Sequence, residues 1–132
     1  MNFPRLAVRA LISDEKERIL IIKRSGNQFL SWAWYLPGGK VDFGETVEQP
    51  LIKEIREETN LECTEYSFLM YQNNLPGKQS PIHFVTFYIV CKTSGTLKLN
   101  SKSDEALWVS PDVIEEYPLA FGNEEGVRRW RE

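Results

Sequence analysis

The chain has 132 residues, 42% of them apolar, and 16 Lys and Arg against 19 Asp and Glu give a net charge of −3. That length suits one domain, residues 1–132, with a proper core, and no basic block is present to coat a nucleic-acid polymer. No apolar run nears the roughly 20 residues that span a bilayer, Met1 to Arg5 lacks a signal-peptide pattern, and Cys63 and Cys91 form no CxxC, so a cytoplasmic protein without a membrane partner is expected.

Leu6 to Ile12 is a β-leaning apolar run. Ser13 to Arg18 is a polar turn, and Ile19 to Ile22 is the next strand, so the pair predicts a hairpin. Lys23-Arg24 and the loop Ser25-Gly26-Asn27 follow. Phe29 to Tyr35 is dense in aromatics. Trp34 reads as core because it leads into the Leu36-Pro37-Gly38-Gly39 turn; Trp32 fits either core or a base-stacking wall.

Gly38 to Leu61 carries the chemistry. Glu54, Glu57 and Glu58 stand at i, i+3 and i+4, which on a helix places three carboxylates within an arc of about 100°. Val47, Leu51, Ile55 and Thr59 form the adjacent buried face, and Glu58 lies between Val47 and Leu51 on the wheel. Like charges at the edge of a buried face need compensation, and hard divalent cations with oxygen ligands supply it. The bland alternative is a solvated acidic face. Thr46 and Gln49 have capping-box spacing for the helix start, and Asn60 suits its stop. With Thr46 as the cap, Pro50 falls at the fourth helical position and removes one backbone hydrogen bond. Gly39 to Thr46 nearly fits a phosphate-binding P-loop, but Glu45 stands where that loop needs Lys, and a carboxylate repels phosphate.

Leu61 to Tyr71 reads as a long strand. Gln72 to Pro81, with Pro76-Gly77, reads as a loop of the kind that sets specificity. Ile82 to Lys92 is nearly continuous in apolar residues and predicts a central strand, with His83 as a strand-end side chain. Asp104 and Glu105 precede a strand bearing Trp108 and Val109. Pro111 to Glu116 is a short helix, and Asn123 to Arg131 a terminal helix whose cap Asn123 would suit. Strands alternating with one central and one terminal helix give α/β, with a mixed sheet between helices.

The run Gly39, Glu45, Lys53-Glu54, Ile55, Arg56, Glu57-Glu58, Thr59, Asn60, Leu61 resembles the signature of the Nudix (MutT-like) hydrolases. Lys53 replaces Arg and Asn60 replaces Gly in that pattern. The resemblance covers nearly the whole chain and implies an α/β/α sandwich with a loop–helix–loop catalytic motif. It implies Mg²⁺, with Mn²⁺ as a substitute, held by Glu54, Glu57, Glu58 and the backbone of Gly39. It implies that Glu45 pairs with Lys53 to brace the helix. It further implies that Arg24, Gly38 and Gly39 meet the substrate and that Asn123 reads a purine. Relatives place an extra acid in the loop where this chain has Lys102-Ser103, and Asp104 or Glu105 stands nearby.

The expected reaction is metal-dependent hydrolysis of a pyrophosphate linkage in a nucleoside diphosphate derivative. Glu57, or an acid from Asp104-Glu105, takes the proton. Among small-molecule nucleotides, a (deoxy)nucleoside triphosphate cleaved to monophosphate and pyrophosphate is preferred, on the short chain, Arg24 and Asn123. ADP-ribose or a nucleotide sugar is the alternative, on Pro76. A catalytically weak nucleotide-binding module is the alternative of another class, on Lys53, Asn60 and Pro50. Oligomeric state is open, a homodimer among the options.

Overall fold

The computed structural model describes residues 2–24, 33–78 and 80–132. Trp32, Phe29 and the Ser25-Gly26-Asn27 loop lie outside the described residues. Alternation in the first strand, β1 (Arg5–Ile12), sends Val8, Ala10 and Ile12 into one core and Leu11 into another on the opposite face. The second strand, β2 (Ile19–Arg24), is buried on both faces, with Leu20 in the first core and Ile19 and Ile21 in the second.

The turn between them is built by Asp14. Its Oδ1 accepts the backbone N–H groups of Lys16 (3.0 Å) and Arg18 (2.9 Å), and its Oδ2 accepts from Arg18 Nε at 2.8 Å. The expected hairpin is nevertheless not formed. Ser13 and Ile19 make a single bridge, and the strands then enter different sheets. Both edges of β2 are taken by β3 (Trp34–Tyr35) and β7 (Ser103–Val109), so no edge is left for β1. The second sheet has the order β3-β2-β7.

The first sheet has the order β4-β1-β6-β5, with β4 Gly38–Val41, β5 Glu62–Asn74 and β6 Phe84–Ser94. Only β1 and β6 run parallel, so the sheet is mixed. Near-continuous apolarity in β6 fits its interior position. β5 outruns its predicted end and absorbs Gln72, Asn73 and Asn74. Their polar side chains are used there: Gln72 accepts from the Tyr88 hydroxyl (2.6 Å), and Asn74 Oδ1 accepts from the Thr86 hydroxyl (2.7 Å). β7 likewise takes in Ser103, Asp104 and Glu105, which were expected before the strand.

Helix α1 (Glu48–Thr59) buries Leu51, Ile55 and Thr59 on the first core, the face the spacing predicted. Thr46 and Gln49 form the reciprocal capping box: the Gln49 N–H donates to Thr46 Oγ1 (3.4 Å) and the Thr46 N–H to Gln49 Oε1 (2.8 Å). Because the helix proper starts at Glu48, Pro50 is its third residue, not its fourth. The start is late because Pro50 has no N–H to give the Thr46 carbonyl, so the bond that would open the helix one residue earlier is not made. Asn60 ends the helix in the left-handed region (φ 66°) and donates from Nδ2 to Thr96 O at 3.0 Å.

Helix α2 (Glu124–Arg131) covers the other face of the first sheet. Gly126 permits the contact, since a Cβ there would lie 2.3 Å from the Tyr88 ring. The short helix at Pro111–Glu116 is a 3-10 turn, and a second such turn spans Ala120–Gly122. Among the described residues no helix is long and apolar enough to cross a membrane.

Candidate active site

The acidic helix meets the glycine turn at Gly38. Gly38 pairs with Arg9 of β1, and a Cβ on it would lie 2.0 Å from Val8 O, so only glycine fits. Its N–H donates to Glu58 Oε1 at 2.9 Å. Burial raises the Glu58 carboxyl to about 7, against the lowering effects of that hydrogen bond and of the Arg9 guanidinium. Gly39 clears the space beside Glu54: an added Cβ would stand 3.0 Å from Glu54 Cγ. Burial, and then the charge of Glu57, raise Glu54 above the usual carboxylate range; Lys53, Lys102 and Arg9 oppose this. Glu57 itself faces solvent.

Glu45 does not pair with Lys53. Among the described residues no ion pair joins them, and Glu45 Oε1 instead accepts the Asp42 N–H at 2.8 Å. A carboxylate three residues from a free backbone donor closes a local turn at less entropic cost than reaching a long lysine. Glu45 therefore braces the loop that enters α1, and the charge of Lys53 acts on Glu54.

A cavity of about 820 Å³ opens beside this cluster, and Gly39 lines it. Arg9, Arg24 and Lys40 give it cationic groups, and Phe84 and Phe121 give it aromatic surface. Arg24 lies over the Tyr35 ring at 4.6 Å. The loop after β5 borders the cavity through Leu75, Gly77 and Lys78. Arg9 was missed in the sequence, although one Arg inside an otherwise apolar strand was the available signal. Its Nη1 donates to Leu36 O at 3.0 Å; burial lowers its pKa while Glu58 raises it. Phe121 was missed too. It holds a left-handed backbone (φ 55°), and its carbonyl accepts from Asn74 Nδ2 at 2.7 Å.

Asn123 lines the same cavity, but its amide is engaged. Its Oδ1 accepts the Leu36 N–H (3.3 Å), and its Nδ2 donates to the Tyr88 hydroxyl (3.3 Å). It occupies the cap position of α2 without a side-chain cap bond. Trp34 is core, edge-on to Tyr117 at 5.8 Å. Glu105 is exposed on β7, opposite Lys23 of β2, while the neighbouring Lys102 acts on Glu54.

A family model described as NUDIX domain matches residues 3–130. The chain belongs to the Nudix family. It is 33% identical over 132 residues to the ADP-ribose pyrophosphatase of Methanocaldococcus jannaschii, covering 97% of this chain and 75% of that protein. It is 29% identical over 116 residues to the CTP pyrophosphohydrolase of Escherichia coli K12, covering 87% and 83%. It also matches the human 8-oxo-dGDP phosphatase but spans only 31% of that protein's length. Among solved structures, the MutT NUDIX hydrolase of Burkholderia pseudomallei superposes with a TM-score of 0.82 at 25% identity, covering 97% of this chain and 98% of that one. The Nudix chain is thus an α/β hydrolase of phosphoric anhydride bonds, a class that works with divalent metals.

Proposed function

We propose that this Nudix enzyme hydrolyses the pyrophosphate linkage of a nucleoside triphosphate, releasing the monophosphate and pyrophosphate. One observation carries the reading: Gly39 belongs both to the cavity bearing Arg9, Arg24 and Lys40 and to the wall of Glu54. A polyphosphate held by those cations would extend toward the acidic helix, and the base would lie toward Phe84 and Phe121. With Lys78 the cavity carries four cationic side chains, which suits a triphosphate better than a diphosphate ending in an uncharged group.

The donor set fits a hard divalent cation. Glu54 and Glu58 are partly buried carboxylates with raised pKa values, and among the described residues neither has an ion-pair partner within 4.0 Å. No three acidic, histidine or cysteine side chains among the described residues already converge as a cage. Mg²⁺ keeps waters and completes its shell with substrate phosphates, so it does not require a full protein cage. Glu54, Glu57, Glu58 and the Gly39 carbonyl would hold it, and it would polarise phosphoryl oxygens and acidify a water. In the reaction a water oxygen bonds to phosphorus, the bridging P–O bond breaks, and Glu57 accepts the proton. Glu105 or Asp104 is the alternative acceptor.

ADP-ribose is the second reading, favoured by the 33%-identical pyrophosphatase and by the Pro76 loop beside the cavity. A weak binding module has less support, because Pro50 only delays the helix start to Glu48, ahead of the acidic cluster, and Asn60 still makes the left-handed stop. The test is product analysis with and without Mg²⁺ across nucleoside triphosphates and ADP-ribose. Pyrophosphate from a triphosphate, only with metal, is expected. AMP from ADP-ribose with triphosphates untouched would give the second reading; tight binding without turnover would give the third.

A further inference from the structure

Helix α1 covers only part of its face of the first sheet. Val8, Ala10, Ile12, Ile89 and Cys91 lie beneath it. The strand registers carry the same face on through Leu6, Val85 and Phe87 to Tyr66, Phe68 and Tyr71 of β5. Tyr66, Phe68 and Tyr71 are 49%, 60% and 59% exposed, and Leu6 is 38% exposed. The Phe68 and Phe87 rings touch, with centroids 6.2 Å apart, so the patch is continuous across two strands. None of these six side chains is charged.

We propose that this open sheet face is the contact surface of a two-fold homodimer. A second copy fits for three reasons. A face without charge is complementary to itself, so an isologous two-fold contact brings no like charges together, whereas a charged partner would find nothing to pair with. The area suffices: fully covered aromatics bury about 150–250 Å² each, so with Leu6, Val85 and Phe87 the face offers roughly 500 Å² per chain. A pair then buries roughly 1,000 Å², the floor for a specific interface. Lastly, edge-to-edge extension of the sheet is disfavoured. Bulges between Cys63 and Glu65 and between Phe68 and Met70 interrupt the β5 ladder, which leaves face packing as the way to cover the aromatics.

Sedimentation or light-scattering mass across a micromolar concentration series tests this, on the full chain, the Phe68→Glu/Tyr71→Glu double variant and Val113→Glu. Val113 is a similarly exposed apolar residue on the Pro111–Glu116 turn, away from the patch. The wild type and Val113→Glu should run at twice the chain mass and the double variant at half of that, with unchanged circular dichroism. A monomeric wild type would overturn the proposal and leave the face to a different protein. A double variant that stays dimeric, or a Val113→Glu variant that dissociates, would place the contact elsewhere and overturn it too.

Discussion

The backbone N–H of Gly38 donates to Glu58 Oε1 at 2.9 Å and ties the glycine turn to the last turn of the acidic helix. One hydrogen bond does not offset the burial of that carboxylate, whose pKa stands near 7. Glu58→Gln keeps an oxygen for Gly38 and removes the buried charge. The variant should be more stable than wild type by about 1–3 kcal/mol in chelator and should lose the stabilisation that Mg²⁺ gives the wild type. Thermal melts with EDTA and with Mg²⁺ check both effects. A less stable variant in EDTA would show that the charge is already compensated within the chain.

Glu57 is exposed, so its replacement should leave folding alone. Glu57→Gln preserves shape and removes the charge. Turnover should fall by about 10²–10⁴ with melting unchanged. Activity within a few-fold of wild type would remove Glu57 from the proton-accepting role and leave that role to Glu105 or Asp104.

The two glycines should separate stability from activity. In Gly38→Ala the new methyl meets the rigid Val8 backbone at 2.0 Å, and the fold should lose about 2–4 kcal/mol. In Gly39→Ala the nearest atom is Glu54 Cγ at 3.0 Å, part of a side chain that can move. That variant should lose under about 1 kcal/mol but drop in kcat, because Glu54 is displaced. Urea denaturation beside steady-state kinetics reads both.

Asn123 presents a choice between holding the fold and holding the base. Its removal orphans the buried Leu36 N–H, so Asn123→Ala should cost about 1–3 kcal/mol. A raised KM for one purine with no loss of stability would instead restore the base-reading role. Denaturant midpoints and KM values for guanine and adenine nucleotides distinguish these outcomes.

Asp14 supplies a pH signature away from the site. Burial alone would raise its pKa, but the N–H groups of Arg18 and Lys16 and the Arg18 guanidinium together hold it below the ordinary 3.8. A depressed folded-state pKa adds stability above the unfolded value and loses it as pH falls through the folded one. Wild type should therefore exceed Asp14→Asn in stability at neutral pH, and the gap should shrink as pH falls below 3.8. Urea midpoints across pH measure it.

Placement set by local spacing was legible in the sequence by itself. Glu54, Glu57 and Glu58, the Thr46–Gln49 box, the buried face of α1 and the Asn60 stop all lie within a few turns of one helix, and helical geometry converts their spacing directly into position. The strands β1, β2, β5, β6 and β7 were readable from runs of apolar residues, whereas β4 (Gly38–Val41), read as a turn, owes its strand pairing to β1. Only the tertiary structure decided what depended on distant partners. It assigned β2 to β3 and β7 in place of β1, because strand edges are filled by whatever packs best across the chain. It turned Arg9 toward Leu36 and the cavity, drew Glu45 to Asp42 in place of Lys53, and occupied Asn123 with Leu36 and Tyr88. Each of those side chains had more than one reachable partner, and the choice was made by burial and backbone donors that periodicity does not encode.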